Sequence, residues 1–341
     1  LKTQAVVATV ATCKRPRHLQ LMPDGKLLAV ACAESGQLDL IDLASRKSVR
    51  RVGIGEDPEA FDLSPDGKTV YVSREEDAAL AWFDLASGKR GGQVKVGAEP
   101  EGVKVSPDGK RVYVTSEAAN QVAVVDTTSG ALAQTVKVGK RPRRFALAPD
   151  GRQLWVSNEL DASVSIIDTQ TLQVVGSIGF EVPGVRKADI TPVGIAITRD
   201  GRQAFVTLGR ANHVAFVDVA ARKVTKLVLV GKRAWGLALD KSEQTLLVVN
   251  GLSDDLTLVD VPAFSFDNQV SYIHDPPFVL KAGASCTADY AVPPDAWYFA
   301  ANRSPIMPFS VLLEIALQPC GWLAAYCGSA LTSPHDQMPT L

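Results

Sequence analysis

Through most of the chain, apolar and polar positions alternate in short bursts and do not recur every three or four residues. Val70 and Val72, Val112 and Val114, and Val122 and Val124 each occupy alternate positions before polar residues close the run. A period of two over about five residues, rich in Val, Ile and Tyr and bounded by turn formers, predicts β-strands. One unit divides into four such strands, near 101–105, 111–115, 121–125 and 131–138.

The pattern repeats as a block. Residues 56–139 hold two tandem copies, with Pro58 and Pro100, Asp66-Gly67 and Asp108-Gly109, Tyr71-Val72 and Tyr113-Val114, and Asp84 and Asp126 all 42 apart. The Asp-Gly pair recurs at Asp24, Asp66, Asp108, Asp150 and Asp200 and is read in degraded form at Asp240-Lys241, with spacings of 42, 42, 42, 50 and 40. A second marker ends each third strand: Asp42, Asp84, Asp126, Asp168, Asp218 and Asp260. Gly after Asp supplies the positive φ of a tight hairpin, and the strand-ending Asp can accept hydrogen bonds from the N–H groups of the following turn. The extra eight residues of the long spacing fall in one connection, 180–190.

Four-stranded units of this length predict an all-β fold, a β-propeller with six blades. Residues 3–12 match a fourth strand without its first three, and residues 232–261 supply a first, second and third strand without a fourth. The expected closure therefore places the N-terminal strand beside 256–259, with a sharp loss of melting temperature if residues 1–13 are removed.

Composition narrows the function classes. The 341 residues are 46% hydrophobic and 21% charged with a net charge of −1, so nothing in the charge calls for a nucleic-acid partner. Five cysteines (Cys13, Cys32, Cys286, Cys320, Cys327) show no CxxC and no paired His spacing, so neither a metal site nor a disulfide framework is expected. The chain starts at Leu1 without the pattern of a signal peptide. No Gly-rich phosphate loop, nucleophile elbow or metal motif occurs in the repeats, and His18 and His213 lack a paired acid or nucleophile at motif spacing. These absences favour binding without a cofactor over catalysis.

Equivalent positions can be read around the ring. After the loop proline come Arg17, Glu59, Glu101, Arg143, Val193 and Trp235; two residues earlier stand Arg15, Asp57, Glu99, Arg141, Thr191 and Arg233. This loop enters the first strand, so the side chains should ring one mouth of the channel. One reading is a salt-bridged rim that keeps the ring soluble, each pair contributing about 0–1 kcal/mol. The other is a polar funnel that binds a small molecule or a protein surface, with Trp235 as an aromatic wall.

The units resemble YVTN-type propeller repeats: Tyr71-Val72-Ser73, Tyr113-Val114-Thr115, Trp155-Val156-Ser157-Asn158 and Val248-Val249-Asn250 stand where that motif does. Longer strings, such as EPEGVKVSPDGKRVYVTSEA and TPVGIAITRDGRQAFVTLGRANHVAFVDVA, are similar to propeller proteins associated with PQQ-dependent alcohol catabolism. The resemblance covers residues 1–262 and implies a periplasmic or secreted, non-enzymatic binding or scaffold protein.

Residues 263–341 read differently. Prolines cluster at Pro276, Pro277, Pro293 and Pro294, and an apolar run follows Met307-Pro308. Pro308 suits a first helical turn, Glu314 and Gln318 share a helix face, and Pro319 should break the helix. Glu314 and Pro319 argue against a membrane span. PPDAWYFAANRSPIMPFSVLLEIALQPCGWLAAY resembles the central helix of hotdog-fold 3-hydroxyacyl-ACP dehydratases of polyunsaturated fatty-acid and polyketide synthases. That resemblance implies an alternative function as a cytoplasmic dehydratase acting on an acyl carrier protein substrate, with Glu314 as the acid and Gln318 as its orienting neighbour. Asn302 stands where the family places its histidine base, and asparagine cannot take up that proton. An incomplete hotdog, joined to the propeller near 261–267, is expected to pack loosely and to be cut first within 265–300 by protease.

Overall fold

A computed structural model of the chain describes residues 6–261. It is an all-β, six-bladed propeller. The first blade comprises β1 (Pro16–Leu21), β2 (Leu27–Cys32), β3 (Gln37–Asp42) and β4 (Lys47–Gly53). The second holds β5 (Pro58–Leu63), β6 (Thr69–Arg74), β7 (Ala79–Asp84) and β8 (Arg90–Lys95). The third holds β9 (Pro100–Val105), β10 (Arg111–Ser116), β11 (Gln121–Asp126) and β12 (Ala131–Lys137), each within a residue or so of the span predicted from alternation. The fourth is β13 (Pro142–Leu147), β14 (Gln153–Asn158), β15 (Ser163–Asp168) and β16 (Gln173–Gly179). The fifth is β17 (Pro192–Ile197), β18 (Gln203–Leu208), β19 (His213–Asp218) and β20 (Lys223–Leu229), and the sixth is β21 (Ala234–Leu239), β22 (Thr245–Asn250) and β23 (Asp255–Asp260). Every sheet is a sequential antiparallel meander; five have four strands and the sixth has three.

Turn chemistry follows the markers. Gly25, Gly67, Gly109, Gly151 and Gly201 take φ of 66–70° in the β1–β2-type connections. Asp66, Asp108, Asp150 and Asp200 accept the N–H two residues on. In the sixth blade the left-handed residue is Glu243 (φ 59°), so the marker there is Ser242-Glu243, 42 after Asp200-Gly201, and not Asp240-Lys241. The strand-ending aspartates behave as expected: Asp42, Asp84, Asp126, Asp168 and Asp218 each accept the N–H three residues later. The 180–190 connection carries a single 3-10 turn, Lys187–Asp189, and buries Phe180, Val182 and Ile190 in the core of the fourth and fifth blades.

The core lies between blades. Leu38, Leu40 and Val52 of the first blade pack on Phe61, Val72 and Phe83 of the second, and the pattern recurs at each later junction. First strands lie side by side, β1 on β5, β5 on β9, β9 on β13, β13 on β17 and β17 on β21. Gly102 permits one such approach: a Cβ there would sit 2.3 Å from the carbonyl of Arg143 in the next blade. Four junctions are also stitched by a second-strand hydroxyl. Ser73, Thr115, Ser157 and Thr207 accept an N–H from their own first strand, left unpaired where the β-ladder slips, and donate to the carbonyl of Glu101, Arg143, Val193 or Trp235 in the following blade.

Two expectations are corrected here. Residues 6–12 take no strand and do not extend β23; Val10 and Cys13 pack against Val30, Cys32 and Ile41 of the first blade instead. A Cys13–Cys32 disulfide fixes that placement, and Thr12 donates to the buried carboxylate of Asp39 at 2.9 Å. The expected absence of a disulfide was thus wrong, because isolated cysteines 19 apart in sequence are brought together by the entry into β1. β21 makes no substantial contact with β1, so the six blades form an open arc among the described residues. No helix among them is long and apolar enough to cross a membrane.

Candidate functional site at the channel mouth

The loops entering the first strands hold unusual backbone. Arg15, Asp57, Glu99, Arg141 and Arg233 all adopt left-handed φ of 44–57°, a conformation costing a non-glycine residue roughly 1–2 kcal/mol. Thr191, after the inserted connection, is the exception.

Charges meet there in pairs across blades. Arg17 binds Glu59, and Arg15 lies 3.9 Å from Asp57. Arg143 lies 3.4 Å from Glu101, and Arg144 lies 2.8 Å from it. Arg143 also binds Glu117 and lies 2.8 Å from Glu159, while Arg141 lies 2.7 Å from Glu117 and 3.2 Å from Glu159. The Glu159 contacts are ion pairs without hydrogen-bond alignment. Trp235 of the sixth blade is flanked by two guanidinium groups, Arg143 at 5.1 Å and Arg233 at 4.9 Å. All ten residues named from the repeat lie on these loops and first strands, and all but Glu99 make a charge or ring contact of this kind. The pairs are not a purely exposed rim, since Glu59 and Glu101 are buried.

Charged residues beyond those ten complete the site. The position after the second strand carries Glu75, Glu117 and Glu159 in the second, third and fourth blades. Three residues into the first strand from the mouth position come Gln20, Asp62 and Lys104, then Ala146, Ala196 and Ala238. Asp62 is buried, accepts from Gln20 at 2.8 Å and pairs with Lys104 at 3.0 Å. That position is thus polar in three blades and alanine in the other three, where Ala146 and Ala196 pack against the cores between blades. Both series recur at the repeat spacing, so the sequence carries their signal at these offsets. His18, without a paired acid or nucleophile at motif spacing in the sequence, packs edge-on against Phe61 with ring centroids 5.0 Å apart. Loss of solvation, reinforced by Arg144, pushes its imidazole down to about 4.

Glu117 and Glu75 occupy equivalent places with opposite surroundings. Glu117 has Arg141 and Arg143 from the next blade; burial pushes its carboxyl up, and the two arginines pull the other way. Glu75 faces Glu99 and Glu101 where those arginines would stand. Burial, then Asp57, Glu101 and Glu99, raise its carboxyl above the ordinary range. Asp57, Glu59 and Glu75 bring carboxylate oxygens within 4.8 Å of one another. Neither Glu75 nor Glu99 has an ion-pair partner among the described residues. Glu314 and Gln318 lie outside the described residues, as does the rest of the hotdog-like stretch.

Comparison with known proteins agrees with the fold. A family model described as a YNCE-like β-propeller matches residues 143–242, and one described as a lactonase, 7-bladed β-propeller, matches residues 55–140. Among solved structures, hydrazine synthase of Kuenenia stuttgartiensis is similar at TM-score 0.53 and 18% identity, over 76% of this chain and 98% of that one. A functionally unknown protein from Desulfotomaculum acetoxidans is similar at TM-score 0.63 and 18% identity, over 74% of this chain and 84% of that one. No curated protein sequence matches the chain.

Proposed function

We propose that this propeller is a non-enzymatic binding module whose channel mouth recognises a cationic group, an ammonium or guanidinium, borne by a small molecule or a protein side chain. The observation that carries this reading is the internal repeat of the site. Between the third and fourth blades, Glu117 and Glu159 enclose the guanidinium groups of Arg141 and Arg143. Between the second and third, the same positions present Glu75 with Glu99 and Glu101 in place of the arginines. A carboxylate surrounded by carboxylates is stabilised by an incoming cation, which restores the balance found one blade on. Trp235, flanked by Arg143 and Arg233, closes the far side of the mouth as an apolar wall.

The Cys13–Cys32 bond supports an oxidising, extracytoplasmic setting for the protein. Association with PQQ-dependent alcohol oxidation is the finer reading and rests on the repeat strings of residues 1–262. Dehydratase activity through Glu314 is not favoured by any observation in the described residues.

The test is a thermal-shift and calorimetric series with cationic ligands (agmatine, putrescine, arginine amide) against acetate and glutarate. Cations should raise the melting temperature of the full chain, and Glu75→Gln should abolish the rise. Because the folded pKa of Glu75 is raised, its ionisation destabilises the fold as pH climbs from the ordinary glutamate range through the folded value. Glu75→Gln should therefore melt higher than the parent at neutral pH and no higher in acid. A parent that responds equally to anions, or a Glu75→Gln variant that still binds cations, would refute the reading.

A further inference from the structure

The residue after the second strand is held alike in four blades. The N–H groups of Glu117, Glu159, Gly209 and Gly251 donate to the carbonyls of Glu99, Arg141, Thr191 and Arg233, respectively. This position therefore carries a carboxylate in the third and fourth blades and glycine in the fifth and sixth. Arg141 lies between two of those carboxylates, 2.7 Å from Glu117 and 3.2 Å from Glu159. Arg233 takes the same place in the sixth blade. Its φ is 57° against 54° for Arg141, and each donates its backbone N–H at 2.8 Å to an asparagine, Asn212 for Arg233 and Asn120 for Arg141. Where Arg141 has its two glutamates, Arg233 has Gly209 of the preceding blade and Gly251 of its own.

The positive charge of Arg233 is thus left over. The residue is exposed, and among the described residues its guanidinium meets no carboxylate and lies 4.9 Å from the centre of the Trp235 ring. A guanidinium stacked on an aromatic face keeps its planar fork of N–H donors for the two oxygens of a carboxylate. The acidic surplus at Glu75, Glu99 and Glu101 is not remote from it. One side chain, Arg143, lies 3.4 Å from Glu101 and 5.1 Å from the Trp235 ring. The acid-rich and base-rich parts of the site therefore flank a single arginine, which small molecules can span.

We propose that the ligand of this site carries both charges: a guanidinium or ammonium joined by a short carbon chain to a carboxylate, with the carboxylate on Arg233 and the chain beside Trp235. This rests on the cation reading above and adds an anionic end to it. A simple cation would satisfy Glu75 and leave Arg233 unpaired, whereas a ligand of both signs balances the two surpluses at once. Specificity then comes from the glycines as much as from the charges, because Gly209 and Gly251 withhold the carboxylates that would otherwise neutralise the arginine.

Calorimetric titration of the full chain with 4-guanidinobutyrate and with butylguanidine tests this, since the two share the cation and differ at the carboxylate. The parent should bind 4-guanidinobutyrate roughly fivefold tighter. Arg233→Gln should remove that preference and leave butylguanidine binding unchanged. Gly251→Glu should do the same with the arginine still present; a Cβ there meets nothing nearer than the Arg233 carbonyl at 3.7 Å, so the side chain has room. Butylguanidine bound as tightly as 4-guanidinobutyrate, or tighter, would overturn the carboxylate end and leave the cation reading standing. Binding of neither compound would overturn both. A preference that survives both substitutions would overturn the assignment to Arg233.

Discussion

At His18 a histidine that looked solitary in the sequence turns out to be wedged against Phe61 and within the fields of Arg144, Asp62, Glu101 and Lys104. Burial outweighs the two carboxylates, so the imidazole is neutral at physiological pH and titrates at about 4. The unfolded chain takes up its proton near 6.5. The contribution of neutral His18 is therefore present in full above that value and is lost as pH falls from there toward the folded pKa. In an NMR titration the His18 ring resonances should stay flat from neutrality down to about pH 5. A midpoint near the ordinary value would mean that water reaches the ring and that the polar network beneath the mouth is not closed. The equivalent loop positions are legible from the repeat, because a near-constant spacing puts one residue of each blade at the same place in its loop. Their partners are not: Glu117 and Glu159 come from a different loop, and only the folded blade brings that loop beside Arg141 and Arg143.

At the scale of the element, strand positions were readable almost to the residue, since alternation and turn formers both report on local backbone. The join between elements was less so. Tyr113-Val114-Thr115 stood out as a motif, yet nothing local says why a hydroxyl follows the two apolar residues. Its role is long-range: Thr115 Oγ1 receives the N–H of Gly102 at 2.6 Å and donates to the carbonyl of Arg143 at 3.0 Å, filling a slip in one ladder and holding the next blade. Thr115→Val keeps the shape and removes both bonds, leaving a buried N–H and a carbonyl without that partner. A loss of about 1–3 kcal/mol is expected, measured as a lower urea midpoint with an unchanged slope. A variant as stable as the parent would mean that water or a backbone shift satisfies Gly102. The sixth unit shows the same limit from the other side. Asp240-Lys241 looked like its hairpin marker, but Glu243 carries the left-handed turn without glycine, so sequence identity and backbone register parted by two residues.

For the whole molecule, the number of blades followed from counting units, whereas closure did not, because a terminal segment has no repeat on both sides to set its register. Residues 3–12 resemble a fourth strand in pattern, but the described part of that stretch is held on the first blade by a covalent bond that spacing did not predict. In an arc whose blades touch only their neighbours, stability is a chain of similar interfaces, and a change at one end should be felt locally. The disulfide sits at that end, and its reduction should cost on the order of 3 kcal/mol for a loop of 19 residues. Hydrogen exchange followed by mass spectrometry, with and without reductant, separates the possibilities. Exchange should accelerate in β1 to β4, where Cys13, Thr12 and Val10 cease to cover Asp39, Val30 and Ile41, and should stay unchanged in β9 to β16. Equal acceleration in all blades would show instead that the propeller opens as one cooperative body, with the two ends coupled across the gap.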